Sequence, residues 1–240
     1  ARTLDAARSE KMDKRHENGF RSARENIDDL CDPDSFIEYG QLVVAAQRQR
    51  RELDDLIDNT PADGLIAGFG AINGDEFSED QARAAVLAYD YTVLAGTQGA
   101  FNHKKTDRVL ELAQDWQTPI VFFTEGGGGR PGDTDFAKVQ GATLDVMTFA
   151  TFAKASGVAP RIAVNNGYCF AGNAVLFGCA DVTIATKSSY IGMGGPAMIE
   201  GGGLGAVAPT EVGPSDIQFS NGVIDLLADD EADAVATTKK

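Results

Sequence analysis

Two glycine-rich turns constrain this chain more than any other feature: Glu125-Gly126-Gly127-Gly128-Gly129-Arg130 and Gly167-Tyr168-Cys169-Phe170-Ala171-Gly172-Asn173-Ala174. Each follows a short apolar run that reads as a buried strand, Pro119 to Phe123 and Arg161 to Val164, and each precedes a helical stretch. A strand that passes through a glycine turn into a helix aims bare backbone N–H groups at one spot. Two such turns can aim donors at a single oxygen and so stabilise an oxyanion without any side chain.

The 240 residues can bury a sizeable core, as one large domain or two small ones. No apolar run reaches the length of a membrane span, and Ala1 to Arg24 is charged, so neither a signal peptide nor a transmembrane helix is expected. Three cysteines, Cys31, Cys169 and Cys179, make no paired framework, and the only histidines are His16 and His103. That usage argues against a metal site and for a reducing, cytoplasmic setting. The net charge of −15 opposes non-specific nucleic-acid binding. Basic residues nevertheless gather early, from Lys11 to Arg24 and again at Arg48, Arg50 and Arg51, where a small polyanion would be welcome. The chain starts at Ala1 and stops at Lys240 within a helix opened by Asp229-Asp230-Glu231, and so reads as a piece of a longer protein.

The chain is expected to divide into a helical and extended lead-in over 1–60 and a core over 61–240. Ser22 and Glu25 stand at capping-box spacing, and Ser35 to Tyr39 alternates as a strand. Arg48 to Asn59 reads as a short polar helix or loop. Gly64 to Ile72 and Ala82 to Tyr89 read as strands joined by an Asn73-Gly74 hairpin turn. Helices are expected over His103 to Trp116 and over Asp135 to Ala155, the latter carrying Val139, Ala142, Leu144, Val146, Met147, Phe149, Ala150 and Phe152. Asp181 to Ala185 and Ser189 to Met193 read as strands, with Tyr190 and Met193 in the core, and Gly194 to Gly205 as loop. Strands alternating with helices give an α/β class.

Gly127-Gly128-Gly129-Arg130-Pro131-Gly132 matches G-x-G-x-x-G. The match lies in a run of glycines, where such spacing arises cheaply, and Pro131 interrupts it. A nucleotide-cofactor-binding module is therefore the weaker reading, and a tight turn without ligand is the plain alternative. Cys169 reads as a small buried residue, since no histidine lies near it in sequence.

The stretch from Gly167 to Ala185 resembles the crotonase superfamily: a G-x-x-x-[GA]-G-[GA] turn, an apolar helix and a strand ending in Ile184-Ala185. Glu125 to Arg130 is similar to the D-S-G-G-A-R stretch of biotin-dependent acyl-CoA carboxyltransferases. Asp90 to Gly99, followed by Lys105, resembles that family's D-F-T-V-x-x-G-S-x-G…K, and Gly19 to Asp28 its G-K-L-T-A-R-E-R-I-D. The resemblance runs from Gly19 to Met193.

The resemblance implies a crotonase-like (ClpP/crotonase) spiral of β-β-α units and the N-terminal, acyl-CoA-binding half of a carboxyltransferase. Backbone N–H groups would hold the thioester oxygen while the α-carbon becomes an enolate. The donors would come from Gly128 or Gly129 and from Ala171 or Gly172. Arg21, Arg24, Gly96, Lys105, Arg130 and Asn173 would contact the acyl-CoA, Lys105 through a CoA phosphate. For Lys105 a solvated helix face, and for Arg21 and Arg24 a helix-packing ion pair, stand as alternatives. Arg130 could orient its loop through Glu125, and His103 and Lys104 read as surface. Carboxybiotin would be carried on a separate domain or subunit. The implied partners are a C-terminal carboxyltransferase domain, a biotin carboxyl carrier and a biotin carboxylase, in a homo-oligomer, and the piece alone would be inactive.

Two departures from the family pattern stand out: Gly126 replaces a serine, and Asn173 a glycine or alanine, which puts the size of the acyl pocket in question. The hydratases of the superfamily carry glutamates after the second turn, whereas Asn173-Ala174-Val175 offers none. A decarboxylase of malonyl-type thioesters on the same fold, and a non-catalytic assembly domain, remain open.

Overall fold

The computed structural model describes residues 2–135 and 146–240. After a single turn at Asp5–Arg8, helices α1 (Ser9–Glu17) and α2 (Ala23–Leu30) open the chain. The capping box forms: Ser22 Oγ accepts the Glu25 N–H at 3.1 Å, and Glu25 Oε2 accepts the Ser22 N–H at 2.6 Å. Strand β1 (Ile37–Glu38) is shorter than the alternation predicts, and α3 (Leu53–Asn59) forms the polar helix.

Strand β2 (Leu65–Ala71) and β3 (Arg83–Tyr89) pair antiparallel, with Ala71 opposite Arg83. Their connection is no two-residue hairpin. It holds a one-turn helix, α4 (Glu79–Ala82), and closes where the Ile72 N–H meets Ala82 O at 2.8 Å. Helix α5 (Ala100–Asp115) and β4 (Ile120–Phe123) follow. The predicted helix over Asp135 to Ala155 appears as α6 (Thr148–Lys154). Val146 and Met147 precede that helix, and 136–145, with Val139, Ala142 and Leu144, lie outside the described residues.

The chain continues through β5 (Arg161–Asn165), β6 (Tyr168–Phe170), α7 (Gly172–Gly178), β7 (Val182–Thr186) and β8 (Tyr190–Gly192). The stretch expected as loop after Met193 contains α8 (Pro196–Gly201), which Pro196 opens from its first turn. Met193 itself is 63% exposed rather than core, and Tyr190 is half-buried. Helix α9 (Ser215–Ser220), β9 (Leu226–Ala228) and α10 (Glu231–Thr238) complete the order.

Among the described residues the strands form a seven-stranded sheet, ordered β1-β2-β3-β4-β5-β7-β9, with parallel pairing from β3 onward. Alternation along each strand sorts its side chains to two faces. Ile66, Val86, Val121, Val164 and Ile184 meet Ile27 and Leu30 of α2 and Ala234 and Val235 of α10. Leu65, Leu87, Ile120 and Phe122 meet Val109 and Leu110 of α5, Phe152 of α6 and Leu176 of α7. Residues of the lead-in thus belong to the same core as the sheet. Helices α2 and α10 are also joined by Glu231, whose Oε2 accepts the Arg21 N–H at 2.6 Å and whose Oε1 accepts from Asn26 Nδ2 at 2.9 Å.

Strands β6 and β8 form a second, small parallel sheet. The units β5-β6-α7 and β7-β8-α9 each place their first strand in the large sheet and their second in the small one. Gly126 extends the pattern, because it bridges Cys169 in parallel fashion, with its N–H on Tyr168 O at 2.7 Å. The first glycine loop therefore takes the place of a second strand in the unit begun by β4.

Candidate functional site

The loops that follow β3, β4 and β5 meet at the carboxyl ends of these parallel strands, where open α/β sheets present ligand sites. They comprise Leu94 to Gly99, Glu125 to Arg130 and Gly167 to Gly172. The Gln98 N–H donates to Gly128 O at 2.8 Å and the Arg130 N–H to Gln98 O at 2.9 Å, so the first two loops zip together. The Gly126 bridge to Cys169 fastens the second to the third.

Glycine is required where the loops touch. Gly128 has φ +87°, and a Cβ there would fall 2.6 Å from Ala171 Cβ and 3.6 Å from the Gly172 nitrogen. The two predicted glycine turns thus lie side by side. A Cβ on Gly96 (φ +61°) would fall 2.5 Å from Glu125 O, which makes Gly96 a packing position beside the first loop.

Backbone bonding sorts the four nominated donors. The Gly128 N–H is held by Asn173 Oδ1 at 2.9 Å, and the Ala171 N–H by Gly192 O at 3.1 Å. Among the described residues nothing accepts from the N–H of Gly129 or of Gly172. Gly129 is exposed, and Gly172 is the half-buried first residue of α7, where helical geometry provides no intrahelical partner. The Gly127 N–H is bound to Ala95 O at 3.0 Å. With Gly127, Gly128 and Arg130 all engaged, the loop is not the open cradle that a pyrophosphate needs.

The charged and amide candidates are committed within the protein. Arg24 pairs with both oxygens of Glu38, at 2.9 and 3.2 Å, the helix-packing alternative. Lys105 is buried, and its ammonium donates to Ala62 O at 2.9 Å and Leu65 O at 2.5 Å instead of reaching outward towards a phosphate. Burial pushes its pKa down to about 8. Arg21 keeps a partly exposed guanidinium, 2.8 Å from Asp29.

Arg130 does not orient its loop through Glu125. Its guanidinium pairs with Asp63 and donates to Thr97 O at 2.7 Å, while Asp63 Oδ2 accepts the Asn102 N–H at 2.7 Å. Asp133 accepts the Ala100 N–H at 2.8 Å, so two carboxylates flanking Arg130 cap the N-terminus of α5. Glu125 instead takes Arg15, at 2.5 and 3.2 Å. Burial pushes Glu125 up to about 7, with the Arg15 charge pulling against it.

Asn173 is fully buried. Its Nδ2 donates to Thr124 O at 3.1 Å and Gly96 O at 3.3 Å. A Cβ on Gly126 would fall 2.3 Å from that nitrogen, so the two departures from the family pattern touch each other. His103 is half-buried rather than superficial: Nδ1 lies 2.9 Å from Thr148 Oγ1, and burial pushes its pKa down to about 4. Cys169 is buried against Thr124 Oγ1 at 3.6 Å, and burial pushes its thiol up to about 12, as suits an inert residue.

Sequence reasoning missed Gln98, Asp63, Arg15 and Phe149. A Cβ on Gly172 would fall 2.0 Å from Gln98 Oε1 and 3.1 Å from the Phe149 ring, so these two side chains pack closely beside that glycine. Gln98 was legible as a polar residue inside a small-residue turn. Arg15, 110 residues from Glu125, left no local signal. Among the described residues no group of three or more His, Cys, Asp or Glu is arranged to hold a metal ion, and no helix is long and apolar enough to cross a membrane.

Comparison with known proteins places this geometry. A single-chain, multi-domain long-chain acyl-CoA carboxylase superposes with a TM-score of 0.94 at 57% sequence identity, over 99% of this chain and 23% of that one. The transcarboxylase 12S crystal structure with hydrolysed methylmalonyl-CoA bound superposes with a TM-score of 0.76 at 28% identity, over 96% of this chain and 42% of that one. The biotin-dependent long chain acyl-coenzyme A carboxylase beta4 subunit of Mycobacterium tuberculosis is 31% identical over 227 residues, 92% of this chain and 39% of that protein. The fold is the crotonase-like one expected. The chain spans about two fifths of the curated relatives it matches, 39% in the case of the beta4 subunit. A family match runs over residues 14–240, nearly the full length, and the chain belongs to the carboxyl transferase domain family.

Proposed function

We propose that this chain is the acyl-CoA-binding half of a carboxyltransferase acting on the α-carbon of an acyl-CoA. One observation carries the reading: two adjacent glycine loops leave two backbone donors, on Gly129 and Gly172, without protein partners among the described residues. Two unpartnered N–H groups on neighbouring loops suit one oxygen that gains charge, as a thioester oxygen does when the α-proton leaves. The loops are anchored by internal hydrogen bonds, so the donors need little reorganisation as that charge develops. The enolate carbon would then bond to the carboxyl carbon as the carboxyl–nitrogen bond of carboxybiotin breaks, restoring the thioester C=O and leaving the α-proton on the freed ureido group.

The two remaining donors serve one oxygen, and a ureido oxygen of biotin would need others. This chain is accordingly read as supplying the acyl-CoA side alone. Carboxybiotin, held on a separate domain or subunit, supplies the carboxyl group and the base. A C-terminal carboxyltransferase domain, a biotin carboxyl carrier and a biotin carboxylase are the partners proposed, within a homo-oligomer. The hexamer assembly named for the 12S protein and the multi-domain make-up named for the long-chain carboxylase support that reading by analogy.

Titration calorimetry tests it. Acetyl-CoA or propionyl-CoA should bind this chain, and NAD should not. No acyl-CoA binding at millimolar ligand would remove the reading, and carboxyl transfer to free biotin by this chain alone would overturn the division of labour.

A further inference from the structure

We propose that Asn173 is a positioning residue that decides which backbone donors the site presents. The inference rests on the carboxyltransferase reading above and adds a residue to it. Asn173 sits in the first turn of α7, with none of its surface exposed. A side-chain amide offers one carbonyl oxygen and two N–H donors. Here Oδ1 accepts the Gly128 N–H at 2.9 Å, and Nδ2 donates to Thr124 O at 3.1 Å and Gly96 O at 3.3 Å. One amide on α7 therefore ties the loops that follow β3 and β4 to the helix that the third loop enters.

Two consequences follow from that geometry. Asn173 takes the Gly128 N–H out of reach of a ligand, as Gly192 O does for Ala171, and the donor pair becomes Gly129 with Gly172. The amide and the Gly96 carbonyl it holds together restrict residue 126 to glycine. A Cβ there would lie 2.3 Å from Asn173 Nδ2 and 2.3 Å from Gly96 O, the carbonyl that Nδ2 holds. Gly126 and Asn173 are thus a matched pair, and a buried, fully bonded amide of this kind specifies a single arrangement of its neighbours.

Amide-resolved NMR on the 240-residue chain tests the assignment. In the wild-type chain without ligand, the Gly128 amide should exchange with solvent at least tenfold more slowly than that of Gly129. Acetyl-CoA should shift the Gly129 and Gly172 amides and leave Gly128 nearly still. Fast exchange at Gly128, or a Gly128 shift as large as the other two, overturns the proposal without any variant. Absence of every shift at millimolar acetyl-CoA overturns the carboxyltransferase reading instead, while Gly128 exchange still reports on Asn173.

Asn173→Ala supplies the functional readout. Acetyl-CoA and its thioether counterpart S-ethyl-CoA differ in the carbonyl oxygen, so their affinity ratio reports on the donor pair. Asn173→Ala should lower the preference for acetyl-CoA about fivefold, and a Gly126→Ser change should cost less affinity in the Asn173→Ala background than alone. An equal loss for both ligands would mark a merely structural residue. If Asn173→Ala does not fold, the wild-type exchange and shift measurements decide.

Discussion

Arg130 and Asp63, 67 residues apart, close a buried ion pair that moors the first glycine loop to a left-handed turn. The side chains are 4% and 0% exposed, and Ala62, Asp63 and Gly64 have φ of 53°, 51° and 70°. The same guanidinium holds Thr97 O, one residue before the Gln98 that zips onto Gly128 and Arg130. The pair therefore positions two of the three loops at once.

Removing one partner leaves a buried charge alone, which typically costs about 3–5 kcal/mol. Arg130→Ala should destabilise the chain by that order in urea unfolding. Arg130→Lys should recover little, since a compact ammonium lacks the planar fork with which the guanidinium spans Asp63 and Thr97 O. A loss below about 1 kcal/mol for Arg130→Ala would contradict the mooring role.

The two neighbouring glycines should respond differently to alanine. At Gly128 the positive φ and the 2.6 Å approach to Ala171 Cβ resist any side chain. Gly128→Ala should cost about 2–4 kcal/mol from strain and overpacking. A Cβ on Gly129 meets nothing within 4 Å, and that residue lacks a positive φ. Gly129→Ala should therefore leave the melting temperature within a few degrees of wild type, and equal melting losses for both variants would count against the loop geometry.

His103 should make the chain acid-sensitive. Its folded pKa, pushed down to about 4 by burial beside Thr148 and Phe149, lies below the ordinary 6.5. Between these values the unfolded chain binds the extra proton, so stability falls as the pH drops from about 6.5 towards 4. Glu125 works in the opposite sense: its folded pKa near 7 favours the folded state as the pH falls towards 4.5. His103→Gln should flatten the acid loss by on the order of 2–3 kcal/mol. Urea midpoints across that range read it, and an unchanged slope would refute it.

Lys105 separates packing from binding. Lys105→Met should lower stability, because Ala62 O and Leu65 O lose their donor, while acyl-CoA affinity stays within about twofold. Its folded pKa of about 8 lies below the ordinary 10.5, so wild-type stability should rise between those pH values. Lys105→Met should abolish that rise. A tenfold loss of CoA affinity at unchanged stability would restore the phosphate contact.

Most of the sheet was legible because its signals are local, although β9 was not foreseen. Val86 and Val121 alternate with Leu87 and Phe122, and strand periodicity sorts them to opposite faces. The glycine turns were legible for the same reason: a run such as Gly126 to Gly129 has no use inside a regular element. The partners of the charged residues were not. Arg15 with Glu125 and Arg130 with Asp63 are joined only by the topology, so sequence neighbours such as Glu125 for Arg130 offered the wrong match. Lys105 misled because a lysine on a helix reads as solvated until the carbonyls that receive it are in place. Asn173 read as an acyl-CoA contact rather than as a tie between loops for a similar reason, since its three partners come from Gly96, Thr124 and Gly128.

The clasp between α2 and α10 bears on the birth of the molecule. Glu231 closes on Arg21 and Asn26 across 210 and 205 residues, and Ile27 and Leu30 are sealed in part by Ala234 and Val235. A chain emerging from the ribosome displays that apolar stripe of α2 long before its cover exists. Contacts of such separation are slow to form and leave sticky intermediates behind. Nascent lengths that end before Glu231 should therefore depend on chaperones more than lengths that extend past α10.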